Sequence, residues 1–248
     1  MTEPRTRVLF LGSHLRSFHC LRYLLTQVPQ AQLVGIVPHF SNTGVREDQR
    51  VEALAATHGV PYLTYEDIAG LDYDLGISLL FDRKLPPAIV DAPPRGFVNI
   101  HMAPLPRFRG ANGVMHALLK ARQDGVWTFG VTLHYIDHEL DTGPIIDLIE
   151  FPIFEDDTAS TLHARASDRV FELFVRNIHT LIETKGRVPA QTQEGHAYFF
   201  RRADVDHHID LNSTPDEIYD KVRALTFTGR PKPFVEIGKY RFYLSLEP

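Results

Sequence analysis

Apolar positions along this chain follow two rhythms, and the way these alternate predicts the architecture. Short apolar runs occupy residues 7–13 (RVLFLGS), 31–37 (AQLVGIV), 60–65 (VPYLTY), 73–81 (YDLGISLLF) and 96–102 (GFVNIHM), each about as long as a buried strand. Between them, residues 18–25 (FHCLRYLL) and 46–59 (REDQRVEALAATHG) space their apolar side chains as helices do, the second ending at Gly59. Strands alternating with helices imply parallel pairing and a doubly wound sheet, so the first hundred or so residues read as Rossmann-like.

Beyond residue 110 the rhythms continue. Residues 111–125 (ANGVMHALLKARQDG) predict a helix, residues 128–137 (TFGVTLHYID) a strand with two distinct faces, and residues 144–153 (PIIDLIEFPI) a strand hairpin-paired with it. A long helix follows over residues 159–185, with Leu162, Ala166, Val170, Leu173, Phe174, Ile178, Leu181 and Ile182 forming a core-facing stripe. A polar stretch with glycine and proline, residues 183–195 (ETKGRVPAQTQEG), marks a boundary between a main domain (1–186) and a small C-terminal module (187–248). That module contains a helix with an N-cap candidate (213–225) and a hairpin turning at Gly238, too little chain for an independent core. It is expected to dock on the main domain or on a second copy. The fold class is α/β: a mostly parallel sheet with flanking helices, plus a small α+β tail with a β-hairpin.

Composition narrows the partners. Of 248 residues, 44% are hydrophobic and 23% charged, which is ordinary globular composition. The net charge is −5 with acids and bases interspersed, so no concentrated basic face points to nucleic acid. No apolar run approaches the roughly 20 residues that cross a bilayer, and the first seven residues carry charge where a secretory signal is apolar, so a cytoplasmic location is expected. The single cysteine, Cys20, lies in an apolar helical stretch and reads as a buried thiol.

The chemistry gathers in two segments. In FVNIHMAPLPRFRGANG (97–113), Asn99 and His101 stand two apart on a strand, so both project to one side at its carboxyl end, where open parallel sheets bind ligands. In GVTLHYIDHELDTGPII (130–146), Asp141 sits in a turn just before Gly143-Pro144. An amide, an imidazole and a carboxylate in one cleft can stabilise an oxyanion and move protons without a protein nucleophile, which suits attack of a substrate amine on a carbonyl. His134 and His138 are separated by four residues on and after a strand, over about 10 Å, and so cannot share a metal ion as helix neighbours would; no metal is expected. The adjacent His207 and His208 read as solvated surface. Gly12 and Ser13 form a tight turn after the first strand, either structural or with backbone N–H groups facing a phosphate. Arg107 and Arg109 in the loop after His101 are either solvated charges or phosphate clamps, their position favouring the clamp.

Taken together, Asn-x-His followed by Leu-Pro-x-x-x-Gly, and Gly-Val-Thr-x-His-x-x-Asp-x-x-x-Asp-x-Gly-Pro-Ile, resemble the paired signatures of the folate-dependent formyltransferase family. The resemblance spans about residues 7–186 and implies transfer of a formyl group from N10-formyltetrahydrofolate, without metal, to an amine. It makes Asn99, His101 and Asp141 the catalytic trio: Asn99 and a protonated His101 donating to the developing oxyanion, Asp141 supporting His101 and helping to remove the amine proton. RKLPPAIV (83–90) is similar to the segment lining the family's folate pocket, which implies Arg83, Leu85 and Val90, with Phe81 beside them and Ile136, Asp137 and His138 completing the pterin slot. By the same resemblance Gly12 and Ser13 face the acceptor substrate; Arg107 and Arg109, by their position, and Lys84 are expected on the acceptor side, with Arg83 and Lys84 each able to reach either folate or a substrate phosphate.

The tail and the RFRGAN loop resemble those of formyltransferases acting on nucleotide-linked amino sugars, implying a dTDP-type amino-dideoxy sugar as acceptor, as in lipopolysaccharide O-antigen synthesis, and a homodimer built on the C-terminal hairpin. Another amine (glycinamide ribonucleotide, methionyl-tRNA or hydroxyornithine) is the alternative acceptor, and a non-catalytic folate or nucleotide binder the alternative class. Met102-Ala103 stand where the family commonly has Pro-Ser, Gly113 where proline is common, and TFTGRPKPF where a Pro-Phe-Pro-Gly-type turn occurs. These departures leave the trio intact and bear on the acceptor pocket.

Overall fold

A computed structural model of the protein describes residues 4–12, 14–38, 48–81, 83–201 and 203–246. In chain order the elements are β1 (Thr6–Leu11), α1 (Leu15–Gln27), β2 (Ala31–Val37), α2 (Asp48–Thr57), β3 (Leu75–Leu79), α3 (Pro87–Val90), β4 (Phe97–His101), β5 (Phe108–Gly110), α4 (Gly113–Asp124), β6 (Thr128–Tyr135), β7 (Ile145–Pro152), α5 (Ala159–Glu183), β8 (Tyr198–Phe200), α6 (Pro215–Leu225), β9 (Phe234–Ile237) and β10 (Tyr240–Tyr243). Six strands form one sheet in the order β2-β1-β3-β4-β6-β7. β1 pairs in parallel with β2 and β3, and β3 with β4, whereas β6 runs antiparallel to β4. The expected α/β architecture, mostly parallel with flanking helices and a small C-terminal hairpin, is the one observed.

The chain folds as two compact units. One gathers Met1–His101, Thr132–Leu148 and Val170–Glu194; the other gathers Met102–Val131, Ile149–Arg169 and Gly195–Pro248. They interleave along the sequence: one crossing, from Glu194 to Gly195, falls in the polar stretch 183–195, and the others lie within residues 1–186. Glycine and proline mark where a chain turns; which segments it then packs against is decided by apolar faces far apart in sequence.

In the first unit β1 is an interior strand, and its Val8, Leu9, Phe10 and Leu11 are all fully buried, as a parallel strand covered on both faces requires. α1 adds Cys20, Leu21 and Leu24, and the burial that packs the Cys20 thiol also pushes its pKa far up, so it is an inert core group. Within this unit α5 buries Val170, Leu173, Phe174, Ile178, Leu181 and Ile182, the greater part of the expected stripe. Each such side chain stabilises the unit by about 1.5–3 kcal/mol on transfer from water. A third strand over 60–65 does not form. Only Tyr62 bridges to Ile36, because Pro61 has no N–H to continue a ladder.

The second unit is built around α4 and α6. The tail segment pairs β8 in parallel with β5, a strand of three residues inside the stretch expected to be loop, and Phe108 stacks there near Phe129, Tyr198 and Phe200. α6 starts where its sequence offers an N-cap candidate, and the cap is a capping box, Thr214 and Glu217 bonding each other's backbone N–H. Its fully buried Arg223 donates to Asp220 at 2.8 Å and to the carbonyls of Leu118, Phe154, Glu155 and Asp157. Arg122 of α4 holds the other Asp220 oxygen at 2.9 Å, so the tail is fixed to its unit through satisfied buried charge.

Candidate active site

Two strands supply the polar groups, and their sequences explain how. β4 reads Phe97-Val98-Asn99-Ile100-His101, with Val98 and Ile100 buried on one face and Asn99 and His101 on the other. β6 alternates likewise: Val131, Leu133 and Tyr135 are apolar, Thr132 and His134 polar. The antiparallel register sets Asn99 opposite His134 and His101 opposite Thr132, so the polar positions share one face at the carboxyl end of β4.

The contacts are close. The Asn99 Nδ2 donates to His134 Nε2 at 3.1 Å, and His134 Nδ1 lies 2.8 Å from the carbonyl oxygen of Tyr135. Asp141 reaches both rings, with Oδ2 3.7 Å from His101 Nδ1 and Oδ1 3.9 Å from His134 Nε2. The two imidazoles meet edge to face at 6.4 Å. Burial pushes the pKa of His134, 2% exposed, well down; the Asp141 charge pulls the other way and loses. His134 is therefore neutral at physiological pH.

The turn that carries Asp141 is fixed in several ways. Asp141 has φ +57°, in the left-handed region that aspartate tolerates better than most residues. Gly143 follows where a Cβ would run into the Tyr135 carbonyl oxygen, so only glycine fits. Gln193 donates its amide to the carbonyls of Asp141 (2.9 Å) and Gly143 (2.8 Å), and Asp137 accepts from the Thr142 hydroxyl at 2.6 Å. The structure thus brings Asn99, His101 and Asp141 together. It adds His134, which the sequence reading left aside after dismissing it as a metal ligand, and Gln193 as a staple. A visible signal for His134 was its polar parity with Thr132 in an otherwise apolar strand.

Beside this cluster lies a cavity of about 310 Å³ lined by Val90, Asp91, Ile136, Asp137, His138, Glu139 and Arg187. Four of the expected folate-side residues, Val90, Ile136, Asp137 and His138, are on its wall; Asp91, Glu139 and Arg187 are additions. Leu85 and Val90 are buried in one apolar cluster, against which Phe81 and Ile136 pack. Arg83 is elsewhere, exposed with its guanidinium over the Tyr65 ring at 5.4 Å, and exposed Lys84 lies 3.8 Å from Glu139. His138 is held by both oxygens of Asp91 at 3.0 and 3.1 Å.

Of the groups expected to face the acceptor, Gly12 (φ +138°) donates its N–H to the Val37 carbonyl at 3.0 Å, so that donor is not free for a phosphate. Ser13 lies outside the described residues. In the second unit, Arg107 is paired with Asp124 at 3.0 Å, and Arg109 is on β5, its backbone in register with Phe199. Among the described residues no group of three His, Cys, Asp or Glu side chains is placed to hold a metal ion. What the cluster offers is two N–H donors, a carboxylate and a buried neutral imidazole: a place to stabilise an oxyanion and move a proton.

Comparison with known proteins agrees with this geometry. A sequence model described as formyl transferase matches residues 52–178. Methionyl-tRNA formyltransferase of Geobacillus sp. strain WCH70 is 30% identical over 230 residues, covering 88% of this chain and 71% of that protein. Among solved structures, WlaRD, a sugar 3N-formyl transferase crystallised with dTDP and 5-N-formyl-THF, is 25% identical with a TM-score of 0.75, covering 90% of this chain and 80% of that one. A 4-N formyltransferase from Francisella tularensis is 18% identical with a TM-score of 0.80 over 98% of this chain and 97% of that one, a likeness of fold.

Proposed function

Because the chain belongs to the formyl transferase family, we propose that it transfers a formyl group from N10-formyltetrahydrofolate to the amino group of a nucleotide-linked amino-dideoxy sugar. The observation that carries the chemistry is the convergence of Asn99, His101 and Asp141 on one face at the carboxyl end of β4. Folate supplies the formyl carbon; the cavity behind Val90, Ile136 and His138 is where its pterin ring would sit.

In this reading the acceptor amine attacks the formyl carbon, a C–N bond forms, and charge develops on the formyl oxygen. Asn99 donates an N–H to that oxygen, and protonated His101 donates a second hydrogen bond. Asp141, beside His101, orients the ring and draws the proton from the attacking amine; protonated His101 gives its proton to N10 as the bond from the formyl carbon to N10 breaks, and the proton taken by Asp141 restores His101. Nothing in the cluster acts as a nucleophile, so the transfer is direct.

The sugar acceptor is supported by the likeness to WlaRD, whose own ligands are dTDP and a formylated folate. A formylated nucleotide sugar is an activated glycosyl donor, so the product would belong upstream of a cytoplasmic glycan assembly such as an O-antigen. The 30% identity to a methionyl-tRNA formyltransferase favours charged tRNA as the second reading. A net charge of −5 weighs against it. The test is to supply the protein with N10-formyltetrahydrofolate and either dTDP-amino sugars or methionyl-tRNA and follow release of tetrahydrofolate. Release with the sugars alone supports the proposal; release with tRNA alone replaces it.

We also propose a homodimer through β9 and β10. Ile237, Tyr240 and Phe242, on one face of that ribbon, are each more than half exposed, and a two-stranded ribbon with an uncovered apolar face is marginal in water.

A further inference from the structure

We infer that His134 is a positioning residue: as the neutral Nδ1–H tautomer it accepts one N–H of Asn99 and so fixes the carboxamide with its second N–H aimed at the reacting oxygen. The inference rests on the formyl-transfer reading above and deepens it.

The Tyr135 carbonyl, 2.8 Å from His134 Nδ1, can only accept, so Nδ1 carries the hydrogen. In a neutral ring Nε2 is then an acceptor, and the Asn99 group 3.1 Å away must present N–H rather than oxygen. Asp141 Oδ1, 3.9 Å from Nε2, is an acceptor too and offers that nitrogen nothing. An asparagine amide that turned over would present its oxygen, not an N–H, to the developing oxyanion, and would repel it. His134 removes that choice. The charged or titratable groups facing it are Asp141 and Asp137 from the following turn and His101 from β4. Burial at 2% exposure outweighs the carboxylates and keeps the ring neutral, which the arrangement needs: an imidazolium would donate from both nitrogens and turn the amide round.

His134 touches no substrate atom in this account, so its role is read through Asn99. His134→Asn keeps a group near the Nδ1 position and loses the acceptor at Nε2; His134→Gln restores an acceptor oxygen near Nε2. With the full chain, N10-formyltetrahydrofolate and whichever amine it accepts, H134N is expected to lower kcat about ten- to a hundred-fold with both KM values nearly unchanged, and H134Q to recover most of the loss. In an Asn99→Ala background, H134N should cost nothing further, because the group it positions is gone. Equal losses in both backgrounds, or equal damage from H134N and H134Q, would overturn the inference, with thermal melts confirming that the variants compared are folded. A second measurement does not depend on activity. Nitrogen-15 NMR of the wild-type imidazoles should show His134 protonated at Nδ1 only, unchanged from about pH 8 to about pH 5.5. A proton on Nε2, or titration near the ordinary histidine value, sinks the proposal. If no amine supports tetrahydrofolate release, the functional reading fails by itself, and the NMR result decides the tautomer.

Discussion

Substituting Asp141 by asparagine removes one charge from the cluster while keeping its shape, and its effect can be worked from the geometry. The carboxylate lies 3.7 Å from His101 Nδ1, with side chains 9% and 13% exposed. At an effective dielectric of about 20, charges at that distance attract by about 4 kcal/mol. An asparagine carbonyl still accepts a hydrogen bond, so roughly 3–4 kcal/mol of support for an imidazolium in the transition state is lost. At about 1.4 kcal/mol per decade, kcat should fall about 100- to 1,000-fold. The Asp141 side chain is not on the wall of the 310 Å³ cavity, so KM for the folate should stay within about three-fold. The assay is steady-state release of tetrahydrofolate with acceptor and folate varied in turn, on protein of wild-type melting temperature. A kcat within about three-fold of wild type, or a loss confined to KM, would refute the reasoning.

Other consequences are open to measurement. Arg223→Met should destabilise the protein by about 3–5 kcal/mol, because Asp220 and several carbonyls lose a buried donor; a chemical denaturation midpoint near wild type would contradict that. His116 is buried, its ring stacked on Phe200 at 3.4 Å, its Nε2 without a hydrogen-bond partner among the described residues, and burial pushes its pKa down to about 4. The unfolded chain therefore binds a proton below about pH 6.5 that the folded one refuses, and stability falls as pH drops from there towards about 4, by up to roughly 3 kcal/mol. His116→Phe should flatten that slope in urea titrations at several pH values, and an unchanged slope would show that His116 does not cause it. Replacing Tyr240 and Phe242 by glutamate should convert a dimer to a monomer by light scattering at micromolar concentration with folding retained; a wild-type protein already monomeric would end the dimer proposal.

The sheet was legible because its strands are apolar on both faces: residues 7–11 read as buried, and every side chain from Val8 to Leu11 is. The same rule exposed the site, since Asn99 and His101 interrupt such a strand at alternate positions. Its limit was cross-strand register. His134 has the same parity as Thr132, yet only the antiparallel pairing of β4 with β6 tells which side chain it meets. The pairing of β5 with β8 joins three-residue segments far apart in sequence, too short to leave a periodic signal. At residues 60–65, strand-forming side chains outweighed in the reading what Pro61 takes from the ladder. Gln193, in a polar stretch that reads only as a linker, gains its role from two carbonyls some fifty residues earlier in the chain, which no local pattern foretells.

The central claim is that these side chains move a formyl group onto a sugar amine, and mass spectrometry of the acceptor tests it most directly. Incubated with N10-formyltetrahydrofolate and dTDP-linked amino sugars, the wild-type protein should yield a sugar heavier by one formyl group, and Asn99→Ala and His101→Ala should yield at most about a hundredth as much in the same time. An acceptor that stays unmodified with the wild type, or one formylated as fast by both variants, would contradict the account.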